Sequence, residues 1–304
     1  MKQEDTTNAI ETVQLGKRYR SLWALKDCSI TVPKGSISAL VGPNGAGKTT
    51  LLALLVGLNT ASAGKSTVLG MTPTQSADYI AEIGYLAQDI PLYTQLTVNE
   101  HIQLGKYINR RWDEDFAYRR LQELAVPLNR PVKTLSGGQR AQVGLALALA
   151  KRPRLLLLDE PVAALDPLAR EDFLQSLADA VADADGSLTV LMSSHLIGDL
   201  ERICDHLIIL AAGKTQLCTN MEDLLARHKV LVGPHQEMKM VNSAYTVIQE
   251  THTPRQTTLL VRLTGPEFHD AHWQMHEPSL EEITLAYMRG ARQRTNQSNT
   301  QGGA

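Results

Sequence analysis

Short apolar runs rich in Val, Ile and Leu punctuate the chain at residues 28–32, 37–41, 155–158, 188–192 and 206–210. Longer segments with helical spacing separate them, the strand and helix alternation of an α/β domain. Several runs carry no polar alternation, so they read as parallel strands covered on both faces. Between Thr97 and Leu128 the pattern becomes mostly helical. That insertion carries Arg110, Arg111, Asp113, Glu114, Asp115, Arg119 and Arg120, which read as an exposed helix face laced with i,i+4 pairs rather than a nucleic-acid patch. From about residue 230 the alternation lapses, and residues 245–250 and 257–263 look like two strands around the turn Thr253-Pro254-Arg255-Gln256. The expected organisation is a core domain over 8–230 with a helical insertion at about 90–134, a small accessory domain over 231–290, and a disordered tail over 291–304. The tail carries too few large apolar side chains to offset its ordering entropy.

Composition narrows the classes. With 304 residues, 43% of them hydrophobic, and 30 Lys+Arg against 32 Asp+Glu, the chain is a globular protein without a broad electrostatic footprint for nucleic acid or an anionic bilayer. Its longest apolar run, residues 51–58, falls well short of the roughly 20 residues needed to span a bilayer. The polar start MKQEDTTNAIE lacks the features of a signal peptide, so a cytosolic chain is expected. Cys28, Cys204 and Cys218 have no metal-type spacing and read as buried reduced thiols.

After the run 37–41 comes Gly42-Pro43-Asn44-Gly45-Ala46-Gly47-Lys48-Thr49-Thr50, succeeded at once by an apolar helix. This is the pattern of a phosphate-cradling loop. Backbone N–H groups at a helix N-terminus lack internal partners, glycines let the loop wrap an anion, and Lys48 adds a compact positive charge. The Thr49 hydroxyl can face Mg²⁺. Downstream, Asp159 and Glu160 close the run 155–158, at the strand end where open α/β sheets bind ligands. Taken alone they could be a strand end with a capping acid. Beside a phosphate loop, Asp159 becomes a candidate for the magnesium shell and Glu160 for orienting and polarising a water against the terminal phosphorus. Leu135-Ser136-Gly137-Gly138-Gln139 opens a further apolar helix, and by itself could be a serine N-cap with a glycine turn.

In this order the motifs resemble the nucleotide-binding subunit of ABC transporters, over residues 10 to 230. The resemblance implies a P-loop NTPase core with a mixed, mainly parallel sheet, an antiparallel β-subdomain, the helical insertion and a small C-terminal α+β domain. It implies ATP and Mg²⁺ as cofactors. It places Tyr19 as the ring that stacks on adenine, and Gln88 as the glutamine that senses Mg²⁺ and the attacking water and links them to a membrane partner. Asp166, in Ala164-Leu165-Asp166, falls where the family has its D-loop, and His195, in Ser193-Ser194-His195, where it has its switch histidine. Glu160, His195 and Gln88 are thus the candidate catalytic set. Thr49, Gln88 and Asp159 are the candidate metal set, and the loop 42–50 with Tyr19, residues 136–139 and Asp166 the nucleotide set.

The same resemblance implies two cassettes paired head to tail as a homodimer, Ser136 to Gln139 of one closing over the nucleotide held by Lys48 of the other. It implies a separate integral membrane subunit, a peripheral location on the cytoplasmic face of the membrane, and no nucleic-acid partner. Segments 88–93, 96–100 and 279–283 look like those of cassettes serving bacterial drug, antibiotic and lipid exporters. The rival class, a soluble ABC-type ATPase acting on ribosomes or DNA-repair machinery, usually carries two cassettes or a long coiled-coil insertion, and the sequence shows neither. His269, His272 and His276 have a spacing that could bring three imidazoles together on a helix, but Pro266 and Pro278 flank them, and they read as surface histidines.

Overall fold

The computed structural model describes residues 7–198, 200–234, 245–253, 256–264 and 273–301. Its centre is a six-stranded sheet in the order β5 (Ile83–Leu86), β6 (Leu155–Asp159), β7 (Thr189–Ser194), β3 (Ile37–Val41), β8 (His206–Ala211), β9 (Lys214–Asn220). The first five strands are parallel and β9 is antiparallel to β8. Every residue of β3, β6, β7 and β8 is buried. The period-2 alternation of a strand is still at work, but it divides side chains between two apolar cores rather than between core and water. Leu156, Leu158, Val190, Met192, Leu207 and Ile209 enter one core, while Leu155, Leu157, Leu191, Ile208 and Leu210 enter the other.

The first core is closed by α5 (Gly137–Ala150) and α6 (Pro167–Asp183), through Ala141, Leu145, Phe173 and Leu177. The second is closed by α1 (Lys48–Leu55) and by a three-stranded antiparallel sheet in the order β2 (Leu22–Pro33), β1 (Asn8–Tyr19), β4 (Ala63–Val68). Residues 28–32 therefore belong to this antiparallel sheet and not to the parallel one. Their apolar side chains Cys28, Ile30 and Val32 face the shared core and Ser29 and Thr31 lie between them, an alternation too short to decide sheet type.

The insertion folds as α3 (Val98–Ile108) and α4 (Glu114–Glu123) around a third core with Ile102, Leu121 and Val143. Thr97 starts α3 with a capping box to Glu100. The arginines mostly do not pair along their own helix. Arg110 and Arg111 reach across to Asp78 and Glu82, at and just after α2 (Ala77–Ala81), and Arg120 meets Asp179 on α6 at 3.4 Å as well as Glu123 at 3.5 Å. The insertion is thus tied to the main domain from two sides.

Past α7 (Met221–Arg227), a four-stranded antiparallel sheet runs in the order β11 (Tyr245–His252), β12 (Thr257–Leu263), β10 (His228–Gly233), β13 (Gln274–His276). The Thr253 N–H donates to the Gln256 carbonyl at 2.9 Å between β11 and β12, while Pro254 and Arg255 of the expected turn lie outside the described residues. Leu260 from this sheet and Leu280, Ile283, Ala286 and Tyr287 from α8 (Leu280–Gln301) join the first core, so the C-terminal part packs as an extension of the main domain. His228 marks the seam: its Nδ1 lies 2.7 Å from the Leu224 carbonyl and its Nε2 2.9 Å from the Tyr287 hydroxyl. The helix α8 continues to Gln301, where the composition predicts a disordered tail from residue 291. Once its first turns are fixed by packing, each further residue adds a backbone hydrogen bond without a new nucleation cost, and Arg294 donates to Gln216 at 2.6 Å. Of the histidine trio, His269 and His272 lie outside the described residues and His276 is on β13, not on a helix. Cys28 and Cys204 are buried free thiols and Cys218 is half-buried.

Candidate functional site

Four neighbouring parallel strands, β5, β6, β7 and β3, end side by side, and the candidate phosphate-loop and carboxylate chemistry sits at these ends and in the loops leaving them. After β3, Gly42 packs against β8 so closely that a Cβ there would stand 2.2 Å from the Leu210 carbonyl oxygen. Gly47 has φ +104° and a Cβ on it would lie 2.7 Å from the Ala24 carbonyl oxygen. Both positions require glycine, by close approach and by a left-handed backbone. The result is a loop wrapped over the N-terminus of α1, which has no side-chain cap. Its first N–H groups are the free donors that an anion needs. Asn44, Gly45, Ala46, Gly47, Lys48, Thr49 and Thr50 line an open cleft of about 410 Å³ together with Gln88 and Glu160. Ala24 forms its remaining wall, and nothing in the sequence pattern pointed to it.

Lys48 is buried and its Nζ donates to the Gly42 carbonyl at 2.7 Å. The same ammonium stands 3.0 Å from Glu160 Oε1, while His195 Nδ1 is 2.5 Å from Glu160 Oε2. Sequence-distant Lys48, Glu160 and His195 are therefore one connected group. Glu160 itself is 7% exposed and takes a left-handed φ of +49°, an unusual conformation for a side chain of this kind. Asp159, one residue earlier, is almost completely buried and accepts a hydrogen bond from the Ser193 hydroxyl at 2.7 Å. Tyr85 on β5 keeps its proton: burial first, then the Asp159 and Asp89 carboxylates, push its hydroxyl up to about 12.

The residues fit a nucleotide with its divalent cation. Gly42 and Gly47 let the loop close where a Cβ would strike the Leu210 or Ala24 carbonyl oxygen, and Lys48 and the α1 N-terminus supply positive charge. Thr49 and Gln88 in the lining offer oxygen donors of the kind a hard cation takes, with the buried Asp159 carboxylate, outside the lining, as a further one.

Other predicted residues are elsewhere. Ser136 caps α5 through a reciprocal pair with Gln139, at 3.1 Å and 3.0 Å, and Asp166 caps α6 by accepting from the Ala169 N–H at 3.0 Å. The two helix starts adjoin, since a Cβ on Gly138 would lie 2.8 Å from the Ala169 Cβ. None of Ser136, Gly137, Gly138, Gln139 and Asp166 lines the cleft holding Lys48. Tyr19 is also outside that lining; it is 45% exposed at the end of β1, accepting from Asn59 Nδ2 at 3.0 Å with Lys17 Nζ 5.2 Å from its ring centre.

Residues 25–163 match the ABC transporter family. The chain is 34% identical over 215 residues to the ABC transporter ATP-binding protein YtrB of Bacillus subtilis, covering 71% of this chain and 72% of that protein. The chain belongs to the ATP-binding proteins of ABC transporters. Members similar to this cassette serve both directions of transport. The Nod factor export ATP-binding protein I of Rhizobium johnstonii is 35% identical over 215 residues, 68% of this chain and 67% of that protein. The sulfate/thiosulfate import ATP-binding protein CysA of Synechococcus elongatus is 34% identical over 221 residues, 70% of this chain and 63% of that protein. Among solved structures, the cassette superposes on a bacterial ABC transporter cassette described as dimeric, with a TM-score of 0.62, 25% identity, and coverage of 70% of this chain and 98% of that one. The α/β P-loop fold is shared across these cassettes, and no helix among the described residues is long and apolar enough to cross a membrane.

Proposed function

We propose that the cassette binds and hydrolyses ATP with Mg²⁺ to power export through a separate membrane subunit, as a homodimer on the cytoplasmic face of the membrane. The observation that carries the ATPase reading is the Lys48, Glu160 and His195 group at the mouth of the phosphate loop. Lys48 and the α1 N-terminus hold the phosphate oxygens, and Glu160 takes the proton of the attacking water. His195 orients Glu160 and lies against the terminal phosphate. Mg²⁺, when bound, neutralises charge on the phosphates, and Thr49, Gln88 and Asp159 are the residues that would hold it. Tyr19 serves as the ring under adenine.

The separation of Ser136 to Gln139 from the Lys48 cleft supports a site shared between two copies. Each copy offers one uncapped helix start to the nucleotide and one glycine-rich helix start to its partner's. A similar solved cassette is described as dimeric, which supports pairing of two copies. An apolar cleft of about 450 Å³, lined among others by Ile90, Pro91, Leu92, Tyr93, Leu104 and Ile108, supports docking of a membrane subunit on the insertion. Export is favoured by the resemblance of segments 88–93 and 279–283 to those of exporter cassettes. The test is ATP hydrolysis by the purified chain against protein concentration, with Mg²⁺ and with EDTA. Turnover that needs Mg²⁺ and rises more steeply than linearly with concentration is the expected result; turnover strictly proportional to concentration down to dilute solution overturns the shared site.

A further inference from the structure

Two consecutive carboxylates, Asp159 and Glu160, have different tasks in this site, and such a pair needs a device that aims them apart. Strand pairing places Ser193 of β7 directly opposite Asp159 of β6. The Ser193 hydroxyl donates to Asp159 Oδ1 at 2.7 Å and accepts from the Glu160 N–H at 2.9 Å. An N–H can only donate, so the hydroxyl oxygen must accept there and its single proton is committed to Asp159. Ser193 is fully buried, so water does not supply a substitute for either bond.

The two bonds act on different carboxylates. The bond to Asp159 occupies Oδ1 and orients the carboxylate, leaving Oδ2 for another partner. The bond from Glu160 satisfies an N–H at the point where β6 leaves the sheet ladder, and pins the left-handed backbone of Glu160. That backbone turn delivers the Glu160 carboxylate to Lys48 and His195. An in-register side chain without a hydroxyl would leave a buried N–H and a buried carboxylate oxygen short of a partner at once.

We infer that Ser193 is a positioning residue that sets the cation-binding carboxylate Asp159 and the water-polarising carboxylate Glu160 through one hydroxyl. The inference rests on the roles proposed for those two residues. A residue that orients a metal-binding carboxylate typically changes metal affinity by about 10–100-fold when it is lost.

The experiment compares wild-type protein, Ser193→Ala, Ser193→Thr and Ser38→Ala. Ser38 is an equally buried strand serine whose hydroxyl meets Ser36 at 3.1 Å, away from both carboxylates, and it controls for a merely structural loss. Mn²⁺ binding is followed by electron paramagnetic resonance in the presence of ATP, and metal-free ATP binding is measured separately in EDTA. Ser193→Ala is expected to weaken Mn²⁺ uptake about tenfold or more while metal-free ATP affinity stays at the wild-type value; Ser193→Thr regains most of the loss and Ser38→Ala shows none. A Ser193→Ala titration that superimposes on the wild type overturns the inference alone. So does a parallel fall in metal and metal-free affinity matched by Ser38→Ala. Wild-type protein that takes up neither ATP nor Mn²⁺–ATP overturns the assignment of the site itself, and that failure is distinct because it is present before any substitution.

Discussion

Lys48 Nζ lies 3.0 Å from Glu160 Oε1, with the two side chains only 6% and 7% exposed. A buried carboxylate that loses its cation is left with a desolvation cost, and removing a partner costs more than the pair contributes. Lys48→Ala should therefore lower unfolding stability by about 1–3 kcal/mol, a loss limited because His195 still meets Glu160. It should also weaken ATP binding roughly ten- to hundredfold. Adding Glu160→Gln to Lys48→Ala should recover part of the stability, because the second change removes the orphaned charge. Denaturant melts of the two single variants and the double variant check this; strictly additive losses would show that the pair is not coupled.

Glu160→Gln in the intact site should leave ATP binding in place and slow hydrolysis about a hundredfold or more, the usual contribution of a positioned general base. Nucleotide binding by fluorescence and phosphate release by a coupled assay separate the two. Near-normal turnover would remove Glu160 from the role of base.

A site shared between copies has a consequence for mixtures. Ser136→Arg and Lys48→Ala should each be inactive, yet a mixture of the two should regain measurable ATPase activity. In a mixed dimer the Lys48 half of one chain meets the Ser136 half of the other, and that one composite site is unaltered. Activity assays on the separate variants and on the mixture decide the point, and a mixture as inactive as its components excludes the arrangement.

The seam at His228 makes stability depend on pH. Burial is the main cause that lowers the imidazole pKa of His228 and of His206 below the ordinary value of about 6.5. Arg262 also lowers that of His228, the Leu224 carbonyl raises it in part, and Tyr287 holds Nε2. A folded-state pKa below the unfolded one means that the unfolded chain binds more protons in between, so this stability is present above about pH 6.5 and falls as the solution is acidified. Urea midpoints measured from pH 7.5 to 5 should decline. His228→Gln should start lower and show a slope shallower by at most about 1.4 kcal/mol per pH unit, the value for one proton. An unchanged slope would place the titration elsewhere.

Gly42→Ala tests the close approach at the loop. With a Cβ facing the Leu210 carbonyl oxygen at 2.2 Å, either β8 or the loop must move. The variant should lose ATP binding even where it remains folded by circular dichroism.

Local motifs were legible in the chain alone. The order of motifs, Gly42 to Thr50, then Ser136 to Gln139, then Asp159 and Glu160, then His195, was readable because each is a short contiguous pattern of residue types. The strands 37–41, 155–158, 188–192 and 206–210 were readable because burial on both faces leaves them largely apolar. Relations across the sheet were not. That Ser193 stands opposite Asp159, that Ala24 walls the cleft, that Arg110 and Arg111 reach α2, and that α8 docks on the first core all depend on strand order and helix placement, which bring together residues far apart in the chain. The helix continuing to Gln301 shows the same limit from the other direction, because a segment judged on its own composition takes its conformation from the packed turns that precede it.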